Sequence, residues 1–219
     1  MTDTNNIKIY CFLGLPASGK GTQVSILAQK TGAQVLGIGN LIREEIEQAD
    51  LTDPFYAEMK DKYDKGIPQS DQVVFDIVKK HLNYHKNRDI IFDNFPFSTV
   101  QAKSFFDLCE ELGHKPILII VSIDPQTALN RIVHRKICSL CETVYIDSEA
   151  SMCEKCGGAL ISRSDDTVET VEKRIKFYLP RIKEVKEIFA SHDSVCDING
   201  EGSIEEVTKL IEAALDDIK

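Results

Sequence analysis

The densest chemical signal in the chain is Gly14-Leu15-Pro16-Ala17-Ser18-Gly19-Lys20-Gly21-Thr22. An apolar run at residues 9–13 feeds into it, and a helix-like segment at residues 22–30 leaves it. A strand that enters a glycine-rich turn and leaves as a helix exposes unpaired backbone N–H groups and the positive end of the helix dipole. Lys20 adds a full charge, so the natural guest is a polyphosphate. Gly14, Ala17, Ser18, Gly19 and Gly21 would supply the backbone cradle, Lys20 would reach β- and γ-phosphate oxygens, and the Thr22 hydroxyl would serve Mg²⁺. The hydroxyl comes one place later than in the strict G-x-x-x-x-G-K-[ST] pattern, because Gly21 follows Lys20.

Cys138, Cys141, Cys153 and Cys156 form two Cys-x2-Cys knuckles separated by eleven residues. That spacing places four thiolates tetrahedrally around one zinc, and a closed four-thiolate shell leaves no position for water. The expected metal is therefore structural Zn²⁺. The other three of the seven cysteines sit in apolar runs and read as small buried hydrophobes.

Arg131, Arg135, Arg163 and Arg174 gather at both ends of the cysteine segment. Phosphoryl transfer asks for dispersed positive charge over the transferring group more than for a base, and these arginines would supply it. Asp93 ends an apolar segment and could hold the hydration shell of Mg²⁺.

Elements able to position these groups are legible around them. Short apolar runs at 7–13, 34–36, 89–92, 116–123 and 195–198 read as five strands, with 116–123 the expected central one. Helical segments alternate with them: 19–31, one starting at Asn40 as N-cap, 51–65 with Pro54 near its start, 70–82, 98–112, 125–136, 164–191 kinked at Pro180, and 203–218. On the helix over 125–136, Arg131 and Arg135 are four apart and expected on one face. The alternation predicts an α/β fold, a doubly wound five-stranded parallel sheet, with two insertions.

Composition narrows the partners. A formal net charge of −9 with a pI near 5.1 excludes broad nucleic-acid or acidic-membrane binding, so any phosphate site is local. No apolar run approaches the ~20 residues of a membrane helix, and the polar residues 1–6 form no signal segment, so a cytoplasmic protein is expected.

Taken in order, these motifs resemble the adenylate kinase family over nearly the whole chain, in its zinc-containing long-lid form. Gly19-Lys20-Gly21-Thr22 looks like that family's GKGT loop, Gly39-Asn40-Leu41-Ile42-Arg43 is similar to its TGD-x-L-R segment, and Asp93-Asn94-Phe95-Pro96 to its DGFPR segment. Gln101 falls where the family's adenine-contacting glutamine does; Arg131, Arg135, the four cysteines, Arg163-x-Asp165-Asp166 and Arg174 follow in the family's order. The resemblance implies a P-loop core over 1–36, 67–136 and 163–219, a helical acceptor-binding insertion over 37–66 and a zinc lid over 137–162. It implies an ATP site from the loop, Arg131, Arg135 and Gly200, catalysis by Lys20, Arg135, Arg163 and Arg174, and an acceptor site from Ile38, Gly39, Arg43, Asn94, Phe97 and Gln101. The implied reaction is ATP + AMP ⇌ 2 ADP in a monomer; transfer to another small phosphate acceptor, or a weakened ATP-binding regulatory protein, are the alternatives. Departures concentrate on the acceptor side: Phe97 stands where the family has an arginine, Asn94 where it has glycine, Ile38 where it has threonine, while Ala17 replaces a loop glycine.

Overall fold

The computed structural model describes residues 7–85, 87–141, 143–146, 148–162 and 167–218. Arg163, Asp165 and Asp166 lie outside the described residues. Strand β1 (Ile9–Gly14) is buried along its whole length and pairs in parallel with β3 (Ile90–Asp93) on one side and β4 (Pro116–Ser122) on the other. Beyond them lie β2 (Gln34–Gly37) and β8 (Val195–Asn199), giving a five-stranded parallel sheet in the order β2-β3-β1-β4-β8. The central strand is thus β1 and not the 116–123 run. Both strands are covered on both faces, and a continuous apolar run reports that covering without reporting rank in the sheet.

Period-two alternation in β1 feeds two cores. Ile9, Cys11 and Leu13 join Phe92, Leu118, α4 (Asp71–Tyr84), α5 (Thr99–Glu111) and α7 (Val168–Ala190). Tyr10 and Phe12 point the other way, toward α1 (Lys20–Thr31) and α8 (Ile204–Asp217). A capping box, in which Ser203 and Glu206 satisfy each other's backbone N–H groups, starts α8. Helix α7 continues through Pro180 as one element.

Between β2 and α4 the chain forms α2 (Ile38–Gln48) and α3 (Pro54–Asp64). Helix α2 begins directly out of β2 with Gly37 at the cap, three residues sooner than the expected Asn40 cap. Asn40 is already helical, and its side chain accepts a hydrogen bond from Arg43 at 3.0 Å.

A second correction concerns α6 (Pro125–Val133), which stops before Arg135. Arg135 opens strand β5 (Arg135–Cys138), so Arg131 and Arg135 do not share a helical face. Strand β5 pairs antiparallel with both β6 (Val144–Ile146) and β7 (Leu160–Ile161), and two ladders outcompete one more helical turn. This small sheet carries the cysteine knuckles. No described helix is long and apolar enough to cross a membrane.

Candidate active site

The carboxyl ends of β1, β3 and β4 meet where the strand order reverses around β1, the edge at which doubly wound sheets bind ligands. At the end of β1, a Cβ on Gly14 would lie 2.6 Å from Ser18 Oγ and 2.7 Å from the Val121 carbonyl, so only glycine fits. The turn closes with Ser18 N–H donating to the Leu15 carbonyl at 3.1 Å. Gly19 then takes φ +89° as the residue before α1. Ala17 also lies in the left-handed region, at φ +60°, which costs a side-chain-bearing residue roughly 1–2 kcal/mol. Ser18 is buried, and its Oγ has no hydrogen-bond partner among the described residues.

Lys20, the first residue of α1, forms an ion pair with Asp93 at the end of β3. Both side chains are largely shielded, at 16% and 32% exposure, yet both still reach the sheet edge. Arg131 spans from α6 to the loop: its guanidinium donates to the Ala17 carbonyl at 3.4 Å and to the Gly200 carbonyl at 3.1 Å. Gly200 is confined as well, since a Cβ there would lie 2.7 Å from Val121 Cγ1 and 3.2 Å from the Ser18 carbonyl. The structure therefore joins the loop, Arg131, Gly200, Lys20 and Asp93 at one place. Arg174 is half-buried on α7 and Arg135 half-buried at the start of β5.

Residues expected on the acceptor side fall into two groups. Ile38, Gly39 and Arg43 lie on α2; Asn94, Phe97 and Gln101 follow β3 into α5. Asn94 sits at φ +63°, and asparagine is among the few side-chain-bearing residues that tolerate this region, so the glycine-to-asparagine departure preserves the turn. Its Oδ1 is buried without a partner among the described residues. Phe97 packs its ring against Tyr178 and Phe177 on α7, with centroids 4.5 and 5.8 Å away, and Arg181 stacks over Phe177 at 3.7 Å. Gln101 is buried, with its amide held by Phe97 N–H and by Asp71. Asp71 went unnoticed in the sequence, although Ser98-x-x-Gln101 is a capping-box spacing that could have pointed to the network.

The four knuckle sulfurs lie within 4.8 Å of one another. Cys138–Cys156, Cys141–Cys156 and Cys141–Cys153 Sγ separations of 3.3, 3.3 and 3.6 Å approach the about 3.8 Å edge of a tetrahedron with ~2.3 Å Zn–S bonds. The donor set and its spacing fit zinc. Gly158 makes the close approach possible, since a Cβ there would meet Cys138 Sγ at 2.7 Å. Two hydroxyls on and beside β6, absent from the sequence reading, support the cluster. Tyr145 accepts from Glu154 N–H at 3.1 Å, which leaves its proton for Cys153 Sγ at 3.3 Å, and Thr143 Oγ1 lies 3.2 Å from Cys141 Sγ. The Thr143 hydroxyl, followed by its backbone N–H and Cys156, brings the Cys141 thiol down to about 6. The Tyr145 hydroxyl likewise holds Cys153 below the usual thiol range. The Gly158 N–H favours a Cys156 thiolate, but hydrogen bonds with Cys138 and Cys141 outweigh it and push that thiol up to about 12.

A parallel sheet whose central strand ends in a glycine-rich loop, with a lysine at the following helix N-terminus, defines a P-loop nucleotide-binding protein. Comparison with known proteins narrows the class. The family model for adenylate kinase matches residues 12–194. The chain is 33% identical over 215 residues to the adenylate kinase of Archaeoglobus fulgidus, covering 95% of this chain and 98% of that protein. It is 30% identical over 215 residues to that of Bacillus subtilis, covering 94% and 97%, and 32% identical over 211 residues to one from Dehalococcoides mccartyi, covering 93% and 96%. The chain belongs to the adenylate kinase family and is a phosphotransferase.

Proposed function

We propose that the chain catalyses ATP + AMP ⇌ 2 ADP as a cytoplasmic monomer. The observation that carries this reading is the Lys20–Asp93 pair at the mouth of the glycine loop, where a cation and a carboxylate share the ligand edge of the sheet. Gly14, Ala17, Ser18, Gly19, Gly21 and Thr22 cradle the donor phosphates, and the unpartnered Ser18 hydroxyl adds a group able to bond in that cradle. Arg131 and Gly200 flank the donor nucleotide. Lys20, Arg135, Arg163 and Arg174 spread positive charge over the transferring phosphoryl group while an acceptor phosphate oxygen attacks in line. Ile38, Gly39, Arg43, Asn94, Phe97 and Gln101 receive the acceptor.

Thr22 and Asp93 would hold Mg²⁺, which when bound neutralises charge on the β- and γ-phosphates. Cys138, Cys141, Cys153 and Cys156 would hold a structural Zn²⁺ that braces a segment whose strands are too short for a core of their own. Functionally the chain divides into a core (1–36, 67–136, 163–219), an acceptor-binding insertion (37–66) and a zinc lid (137–162), and closure of the lid excludes water from the reaction. Packing of Phe97 on α7 favours one second reading, a small phosphate acceptor other than AMP, because a contact expected from arginine is replaced by an aromatic wall. ADP release measured with Mg·ATP against AMP, CMP, UMP, GMP and dAMP separates the readings. AMP is expected to be the best acceptor; no turnover with any of them, alongside tight ATP binding, overturns the proposal.

A further inference from the structure

The side-chain amide of Gln101 is held at both ends. Its Oε1 accepts the Phe97 backbone N–H at 2.8 Å, and its Nε2 donates to Asp71 Oδ1 at 2.8 Å. A backbone N–H can only donate and a carboxylate oxygen accepts, so these partners dictate which end is oxygen and which is nitrogen. Ser98 reinforces the carboxylate: its hydroxyl accepts Gln101 N–H at 3.1 Å and donates to the same Asp71 Oδ1 at 3.0 Å. Turning the amide over would set Nε2 against the Phe97 N–H and Oε1 against Asp71, two repulsive contacts in a side chain only 8% exposed.

In the held orientation Gln101 retains one Nε2–H donor and one Oε1 lone pair. Adenine offers the complementary edge, an N1 acceptor beside an N6 donor, and cytosine offers N3 beside N4 in the same order. Hypoxanthine, guanine and uracil present the reverse, a ring N–H beside a carbonyl oxygen. We propose that Asp71, together with the Phe97 N–H, is a positioning residue that fixes the Gln101 amide to read an acceptor-beside-donor base edge. The chain thereby accepts amino-substituted bases and rejects their oxo counterparts. This rests on the acceptor site proposed above. Were the Asp71–Ser98–Gln101 network only a helix cap, it would affect stability and leave base preference untouched.

The test is kcat/KM at saturating Mg·ATP for two pairs matched in size, AMP against IMP and CMP against UMP. The unaltered chain is expected to prefer AMP over IMP by roughly 10- to 100-fold, the discrimination expected when buried polar groups are mispaired, and CMP over UMP in the same sense. Asp71→Ala should shrink the AMP:IMP ratio about 10-fold or more, whereas Asp71→Asn, whose Oδ1 still accepts from Gln101, should keep it. Equal use of AMP and IMP by the unaltered chain, or UMP equalling CMP, overturns the inference while leaving the kinase reading intact. An unchanged ratio in folded Asp71→Ala also overturns it, and the comparison on the unaltered chain stands even if that variant does not fold. Failure to phosphorylate any of the four refutes the acceptor reading and the inference with it.

Discussion

Replacing Phe97 by arginine should tighten acceptor binding at the expense of stability. Phe97 sits beside Gln101 but gives its ring to Tyr178 and Phe177, at centroid separations of 4.5 and 5.8 Å. Each such pair contributes about 0.5–1.5 kcal/mol beyond its buried area. An arginine would recover part of that by stacking on Tyr178, worth about 0.5–1 kcal/mol at a partly exposed site. Arg181 already covers Phe177 and would oppose a second guanidinium there. A net loss of about 1–2 kcal/mol corresponds to a Tm lower by about 2–8 °C in a chain of this size. Against it stands a charge-assisted contact to the acceptor phosphate of about 1.5–3 kcal/mol, or roughly 10- to 150-fold in affinity. Coupled ADP-release kinetics should show KM for AMP falling roughly tenfold or more in Phe97→Arg with kcat within a few fold, while Phe97→Leu loses stability without gaining affinity. A folded Phe97→Arg variant with unchanged KM for AMP would refute the reasoning that the acceptor phosphate passes this residue.

Other consequences follow from the same geometry. Lys20→Ala should abolish ADP formation while leaving the far-ultraviolet circular dichroism and Tm nearly intact, since the Lys20–Asp93 pair lies at the site mouth and outside the cores. Gly200→Ala should destabilise by about 1–3 kcal/mol in thermal melts, because its methyl would meet Val121 Cγ1 at 2.7 Å, and should raise KM for ATP by disturbing the Arg131 anchor. Metal analysis should return one zinc per chain, and Tyr145→Phe should weaken zinc in chelator competition by roughly 10- to 100-fold through loss of the hydroxyl on Cys153. Zinc affinity should also fall with pH. Protons compete with zinc for the thiolates: the raised Cys156 thiol, at about 12, already holds its proton at neutral pH, and the lowered Cys141 thiol adds its competition last, as pH falls through about 6. Affinity that is flat between pH 8 and pH 5 would contradict thiolate ligation.

The parts of the molecule written in local pattern were legible before the structure. Five short apolar runs closed by polar residues marked the five parallel strands, and Gly19-Lys20-Gly21-Thr22 marked the helix start that positions Lys20. Rank in the sheet was not, because β1 and β4 are both continuous apolar runs buried over most of their length, and only the crossovers decide which is central. The small sheet escaped notice since β6 and β7 span three and two residues, too few for an alternation to show. That omission extended α6 past Val133 and misplaced Arg135. Asp71 and Gln101 are thirty residues apart, and their hydrogen bond exists only because α4 and α5 pack side by side. The departure at Asn94 was legible in sequence, but its φ of +63°, a backbone conformation that asparagine tolerates, was not.

The central claim is that the Lys20 loop and the Gln101 site exchange a phosphoryl group between nucleotides. Its most direct test is ADP formation from Mg·ATP with and without AMP, followed by chromatography of the products. Two ADP formed for each ATP consumed, strictly dependent on AMP and absent in Lys20→Ala, is the predicted result. ATP bound tightly with no AMP-dependent ADP, under conditions where the chain is folded and zinc-loaded, would contradict it.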